Sequence, residues 1–364
     1  MNSIGYSRRT FLGLARGLLT LCIAAGALST PAYAGGDAKK AGAPPTFASK
    51  NYDLYRSGSA VDALPAAPAT PMLVLMGGGT DVDDAFRAMI AKARGAGSAK
   101  VDVVVIRVSG ADGYNDSLYA MDGVDSVESV VIKTRDGAND PAVNKIVAAA
   151  DVLFIAGGDQ WDYINLWTGT QLDTTLRGLA AKNVPLGGTS AGLAVLGQFD
   201  YSAQNGTITS TEAMGNPYDR KLTLDAGFLN ALPFMAGVIT DSHLVTRDRM
   251  GRLVSFLARL IKDGSVGFAD ARGIGVDEET AVVVDNGIAT VMGNDNGAGG
   301  RTGNAYFLKP TIAPLIVKAK TPLTFRSVGV EKRVAGGVYD LRTWPIVSPG
   351  YLSVEAGQLT PSPY

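Results

Sequence analysis

The residues best suited to chemistry lie in Gly188-Thr189-Ser190-Ala191-Gly192, which satisfies the G-x-S-x-G pattern of a serine on a sharp strand-to-helix turn. Side chains at the two glycines would collide where such a turn folds back on itself. The flanks fit this reading: Val184-Pro185-Leu186-Gly187 reads as a short buried strand and Leu193-Ala194-Val195-Leu196 as the start of a helix. A serine hydroxyl is too weak a nucleophile near neutral pH without a base. The chain has one histidine, His243, so an imidazole-activated Ser190 has only that base to use. A carboxylate usually orients such a histidine and stabilises the imidazolium. Two candidates compete: Glu212, in Thr209-Ser210-Thr211-Glu212-Ala213-Met214, and Asp241, two residues before His243 and on the same side of an extended strand. Glu212 is the favoured one, which leaves Asp241 for substrate contact.

These residues need a frame. Met72–Met76, Val101–Val108, Ser126–Lys133 and Val152–Ile155 read as apolar strands, with helical spacing at Val82–Ala93 and Pro141–Ala150. Runs this apolar fit strands covered on both faces, so the expected fold is α/β with a doubly wound, mainly parallel sheet. Ligands in such sheets gather beyond the carboxyl ends of the strands. Gly77-Gly78-Gly79, Ala156-Gly157-Gly158-Asp159-Gln160 and the Ser190 turn all fall there. The glycine triplet lacks the spacing of a dinucleotide fingerprint or a P-loop, so no nucleotide is expected.

Beyond Ser190, Tyr201–Ser210 alternates as a strand, Ala236–Thr240 is another strand, and Thr246–Lys262 is an amphipathic helix carrying Arg247, Arg249 and Arg252. Ile274–Val284, Ile288–Met292, Asn304–Leu308, Leu323–Val328 and Val338–Leu341 follow as strands, with Asp285-Asn286-Gly287 as a hairpin signal. The expected organisation is a leader over 35–70, a catalytic domain over 71–280 and a β-rich C-terminal portion over 281–364.

Composition narrows the partners. At 364 residues, 46% hydrophobic and 18% charged, the chain reads as a globular protein with a sizeable core. A net charge of −1 offers no basic field for nucleic acid or an anionic membrane. Residues 1–34 read as a twin-arginine signal: Ser7-Arg8-Arg9-Thr10-Phe11-Leu12, an apolar run from Leu18 to Leu28, and Ala32-Tyr33-Ala34 with cleavage after Ala34. The run is short for a bilayer span, so a periplasmic or secreted product without a permanent membrane anchor is expected. The only cysteine, Cys22, lies in that signal, which leaves the mature chain without a thiol nucleophile or thiolate ligand. No metal or other cofactor is expected, and Asp81-Val82-Asp83-Asp84 reads as the acidic first turn of a helix.

Four blocks in order carry a resemblance: Phe154–Gln160, Gly187–Gly192, Asp241–Leu253 and Gly273–Ala281. Together they resemble the serine peptidase family of cyanophycinases and aspartyl dipeptidases. The resemblance implies a flavodoxin-like fold, similar to class I glutamine amidotransferases with serine in place of cysteine. Carried over position by position, it implies Ser190 as nucleophile, His243 as base and Glu212 as acid, with Gly158 and Ala191 N–H groups as the oxyanion hole. It further implies Gln160, Asp241 and Arg247 as substrate contacts. The implied substrate is cyanophycin or a related β-aspartyl peptide; cyanophycin is poly-aspartate whose side-chain carboxyls carry arginine through isopeptide bonds. Ser242 stands where cyanophycinases commonly carry glutamine, a departure that bears on substrate choice. Dimers are common in that family, which leaves a homodimer open.

Overall fold

In a computed structural model of the chain, residues 43–97, 99–295, 300–347 and 350–364 are described. The signal sequence, its Arg8-Arg9 pair and the first part of the leader lie outside them.

Continuous apolar runs become the buried strands of a ten-stranded sheet. Its order is Phe47–Ala48, Tyr52–Gly58, Val124–Ile132, Val101–Arg107, Val152–Ile155, Leu186–Thr189, Met72–Met76, Thr280–Asp285, Ile288–Gly293, Val338–Asp340. The five strands from Val124–Ile132 to Met72–Met76 are mutually parallel, and antiparallel strands flank them. The four parallel strands between residues 101 and 189 take the 2-1-3-4 order of a flavodoxin-like sheet, and Met72–Met76, from earlier in the chain, fills the fifth place. The expected doubly wound, mainly parallel α/β architecture is therefore present.

Residue alternation divides the sheet between two cores. Val74, Met76, Val103, Val105 and Phe154 pack with Phe86, Met89 and Ile90 of the helix Asp83–Arg94. Leu75, Val104, Ile106 and Ile155 face the other way, onto Leu172 and Leu176 of the helix Gln171–Ala181 and onto Ile274, Val276 and Phe307 of a second sheet. That sheet runs Gln358–Thr360, Gly350–Glu355, Thr321–Val334, Asn304–Pro310, Arg272–Val276, Val238–Asp241, Phe199–Tyr201, Leu224–Ala226. The amphipathic helix Met250–Lys262 covers its far face through Leu253, Phe256 and Leu257. Each such buried side chain contributes about 2 kcal/mol.

Three departures from the sequence pattern matter for the site. The C-terminal portion is not a separate module. The proposed 280/281 boundary falls inside Thr280–Asp285, which pairs with Met72–Met76, and Asn304–Pro310 pairs with Arg272–Val276, so this portion completes both sheets. Asp285-Asn286-Gly287 does close the hairpin, with Asn286 and Gly287 at φ 47° and 83°. Second, the apolar run Ile274–Val284 is two strands, in different sheets, broken at Asp277-Glu278-Glu279 with Glu279 at φ 55°. Third, Thr209–Glu212 does not continue a strand. It starts the helix Ser210–Gly215 through a capping box in which Thr209 and Glu212 satisfy each other's backbone donors. The leader is partly held as well: Tyr52–Gly58 pairs with Val124–Ile132, and Phe47 stacks on Tyr52 at 4.9 Å. Among the described residues no helix is long and apolar enough to cross a membrane.

Candidate active site

Four strands deliver their carboxyl ends to one place: Met72–Met76 and Leu186–Thr189, parallel neighbours in the first sheet, and Val238–Asp241 and Arg272–Val276, parallel neighbours in the second. Each is followed at once by a residue of the site.

Ser190 follows Leu186–Thr189 at φ 53° and ψ −111°, a strained conformation for a residue with a side chain, and its N–H donates to the Met76 carbonyl at 3.1 Å. The two glycines of the pentapeptide make the turn sterically feasible. A Cβ on Gly188 would lie 2.5 Å from the Gly192 carbonyl, and one on Gly192 would lie 2.0 Å from that of Ile155. Ala191 then opens the short helix Ala191–Ala194, whose leading N–H groups have no acceptor within the helix.

His243 follows Val238–Asp241 and is also left-handed, at φ 50°. Its N–H donates to the Gly77 carbonyl at 2.8 Å, and its ring is 2.7 Å from the Ser190 Oγ through Nε2. Nδ1 lies 2.5 Å from Oε1 of Glu278, in the turn that carries the chain from one sheet to the other. The arrangement is thus Ser190–His243–Glu278. With the carboxylate holding the proton on Nδ1, Nε2 presents its lone pair to the serine hydroxyl.

The glycine triplet is the frame of this relay. Gly78, at φ 98°, lies flat against the imidazole; a Cβ there would be 2.3 Å from Cε1. A Cβ on Gly77 would sit 1.9 Å from the Asp277 carbonyl. Gly77 accepts from His243, and Gly78 accepts from the Glu279 N–H at 2.8 Å, so one turn fixes the loops of base and acid together. Asp277 ties them again: its Oδ1 accepts from the N–H groups of Val245 and Thr246 at 3.1 and 2.9 Å.

Glu212, expected beside His243, lies elsewhere. It is exposed, completes its own helix cap by accepting from the Thr209 N–H at 2.9 Å, and pairs with Lys221 at 2.8 Å, which lowers its pKa. Asp241, expected to contact substrate, is 3% exposed, and Arg252 grips its two oxygens at 2.8 and 2.6 Å. It is a buried counter-ion, and the Arg252 guanidinium lies 5.0 Å over the Tyr201 ring. Gln160 is half-buried and donates to the Tyr201 carbonyl at 3.3 Å. Gly158 follows the strand Val152–Ile155, where a Cβ would meet the Tyr163 hydroxyl at 2.5 Å; Tyr163 itself donates to the Ala156 carbonyl at 2.9 Å. Arg247 is exposed, with Nε 3.6 Å from Glu278 Oε1. Arg249 donates to the Ser242 carbonyl at 2.9 Å and reaches the Ser242 Oγ at 3.5 Å.

Electrostatics follow from burial. His243 is 2% exposed, and its pKa falls from 6.5 to about 3, through burial first and then the charges of Arg247 and Arg249, with Asp241 opposing. Burial also brings Arg249 from 12.5 to about 9. Three guanidinium groups, of Arg247, Arg249 and Arg252, stand near a neutral imidazole, matched by the carboxylates of Asp241, Asp277 and Glu278. Among the described residues no group of three or more His, Cys, Asp or Glu side chains could hold a metal ion.

Comparison with known proteins agrees on one family. The model described as Peptidase family S51 matches residues 115–292, a span that contains Ser190, His243 and Glu278 but not the glycine triplet. A cyanophycinase of Trichormus variabilis is 30% identical over 173 residues, which are 47% of this chain and 52% of the relative. A cyanophycinase of Synechococcus elongatus is 27% identical over 237 residues, 63% and 65% of the two chains. The chain therefore matches about half to two thirds of the length of these curated relatives. The crystal structure of a peptidase from an acI-B1 Actinobacterium aligns with a TM-score of 0.49 and 16% identity, over 76% of this chain and 98% of that one.

Proposed function

We propose, from the match of residues 115–292 to the model described as Peptidase family S51, a serine peptidase that hydrolyses acidic, β-aspartyl-type peptides through an acyl-enzyme. The observation that carries the reading is the relay from Glu278 through His243 to Ser190, at 2.5 and 2.7 Å. In the proposed cycle His243 Nε2 takes the Ser190 proton as Oγ attacks the scissile carbonyl. The imidazolium, held by Glu278, then protonates the leaving amine. Water, deprotonated by the same nitrogen, releases the acid product and restores the serine.

The oxyanion of each tetrahedral intermediate is assigned to the N–H groups of Gly158 and Ala191. They lie on loops brought together by the close contact of Gly192 with the Ile155 and Ala156 carbonyls. Such a donor typically contributes about 3 kcal/mol to the transition state. Arg247, exposed beside Glu278, is the proposed partner for a substrate carboxylate, a task that suits a guanidinium fork. Cyanophycin and β-aspartyl-arginine meet this chemistry, and the similarity to two cyanophycinases supports the choice. Export through the twin-arginine signal is proposed on Ser7–Leu12 and the segment up to Ala34.

Purified protein incubated in parallel with cyanophycin, β-aspartyl-arginine, β-aspartyl-leucine and simple esters is expected to release product from the β-aspartyl substrates. Ser190→Ala is expected to lower turnover by about five orders of magnitude or more. Undiminished hydrolysis by Ser190→Ala would remove the mechanism, and cleavage of esters alone would remove the substrate class.

A further inference from the structure

We propose that Tyr364 is a positioning residue of this active site: its phenol closes the loop 244–249 between the base and the helix Met250–Lys262, and so sets where Arg247 stands. The inference rests on the peptidase reading for its kinetic consequence, but its geometry is independent of it.

A helix leaves its first N–H groups without intrahelical acceptors, and a side-chain cap normally satisfies one of them. Met250–Lys262 has Arg249 at its N-cap position and no side-chain cap. Tyr364, remote in sequence, takes that part. Its Oη accepts from the Met250 N–H at 3.0 Å and donates to the Leu244 carbonyl at 3.1 Å. Leu244 is the residue after His243, and its carbonyl also accepts from the Arg249 N–H at 2.7 Å. One hydroxyl therefore spans the loop from its first residue to the residue just past its last.

The opposite side of the loop is already fixed, since Asp277 holds Val245 and Thr246. The segment between the two clamps carries Arg247, so its guanidinium is placed relative to Glu278 by both. The phenol is itself located by packing: its ring meets Tyr306 edge-on at 6.1 Å and 80°. Burial raises the Tyr364 pKa, which keeps the proton on Oη and preserves the bond to Leu244 through the neutral range.

Tyr364→Phe keeps the ring and removes only the hydroxyl. On β-aspartyl-arginine, KM is expected to rise about tenfold while kcat stays within about threefold, as expected when a substrate-holding group is displaced and the reacting groups are not. Amide exchange at Met250 and across 244–249 is expected to quicken by about tenfold or more. Tyr306→Phe, which removes a buried hydroxyl without a hydrogen-bond partner among the described residues, is expected to leave both readouts unchanged. A Tyr364→Phe protein with a lowered melting temperature but wild-type KM and wild-type exchange in the loop would overturn the proposal and leave Tyr364 a packing residue. If the wild-type protein hydrolyses no peptide, the peptidase reading fails, and the exchange measurement alone decides the clamp.

Discussion

Replacing Glu278 by glutamine, beside the same change at Glu212, separates the acid of the relay from the acid of a helix cap. Glu278 Oε1 is 2.5 Å from Nδ1 and has one strong task there, keeping that nitrogen protonated and offsetting the imidazolium charge that forms when Ser190 gives up its proton. Glu278→Gln preserves the shape and removes the charge. Where the new amide turns its NH2 group toward Nδ1, the imidazole adopts the wrong tautomer and its Nε2 proton faces Ser190 Oγ, 2.7 Å away. The expected loss in kcat is about 10³-fold, equivalent to roughly 4 kcal/mol of transition-state stabilisation. The loss is read in kcat, since Glu278→Gln also removes the 3.6 Å ion pair to Arg247 and so alters KM as well. Glu212→Gln removes an exposed ion pair to Lys221 and weakens a capping box. It is expected to cost about 1 kcal/mol of stability, a shift of a few degrees in melting temperature, with kcat/KM within about twofold of wild type. The assay is steady-state hydrolysis of β-aspartyl-arginine by both variants, with melting curves on the same preparations. Near wild-type turnover in Glu278→Gln together with collapse in Glu212→Gln would refute the reasoning.

Other outcomes follow from the same contacts. Gly78→Ala places a methyl group 2.3 Å from the His243 ring at a backbone φ of 98°, so kcat is expected to fall by about 100-fold or more; activity within threefold of wild type would contradict the packing described. Because the His243 pKa is depressed to about 3, the base stays neutral in mild acid, and the acidic limb of kcat/KM is expected well below pH 6.5. The same shift has a stability consequence with a definite sign: the unfolded chain binds a proton below pH 6.5 that the folded chain refuses until about pH 3. Stability therefore falls with decreasing pH in that window, by up to about 1.4 kcal/mol per unit, and His243→Gln should flatten the slope in urea unfolding. Asp200 is the opposite case: fully buried and directly across from Asp225, it has a pKa raised well above 3.8, first by burial and further by Asp225, with a backbone hydrogen bond from Phe228 opposing. Its contribution is present below pH 4 and is lost as pH rises, so Asp200→Asn is expected to raise the melting temperature at pH 8 more than at pH 5. An equal change at both values would count against it.

Much of this site is legible in residue order, because strand ends announce themselves. The apolar runs before Gly77, Ser190 and His243 stop at glycines or polar residues, and a parallel sheet gathers such ends on one side. If Ser190 is activated by an imidazole, the solitary histidine is the one base the sequence offers. Glu278 was hidden for a physical reason. Arg272–Val276 and Thr280–Asp285 are both apolar enough to read as one strand, and hydropathy does not show that the chain changes sheets between them. The charged triplet Asp277-Glu278-Glu279 inside that run was the available signal. Glu212 is deceptive because Thr209-x-x-Glu212, a helix-start pattern, directly follows residues that alternate as a strand does. Asp241 looked available because its partner, Arg252, is eleven residues away, on the next helix.

The most direct test of the central claim is active-site labelling with a fluorophosphonate, read by mass spectrometry of the modified peptide and by its rate. Expected is a single adduct on Ser190, formed by the wild-type protein and absent in Ser190→Ala, with labelling at least about 100-fold slower in His243→Ala. An adduct on another residue, or equally fast labelling of Ser190 without the imidazole, would contradict it.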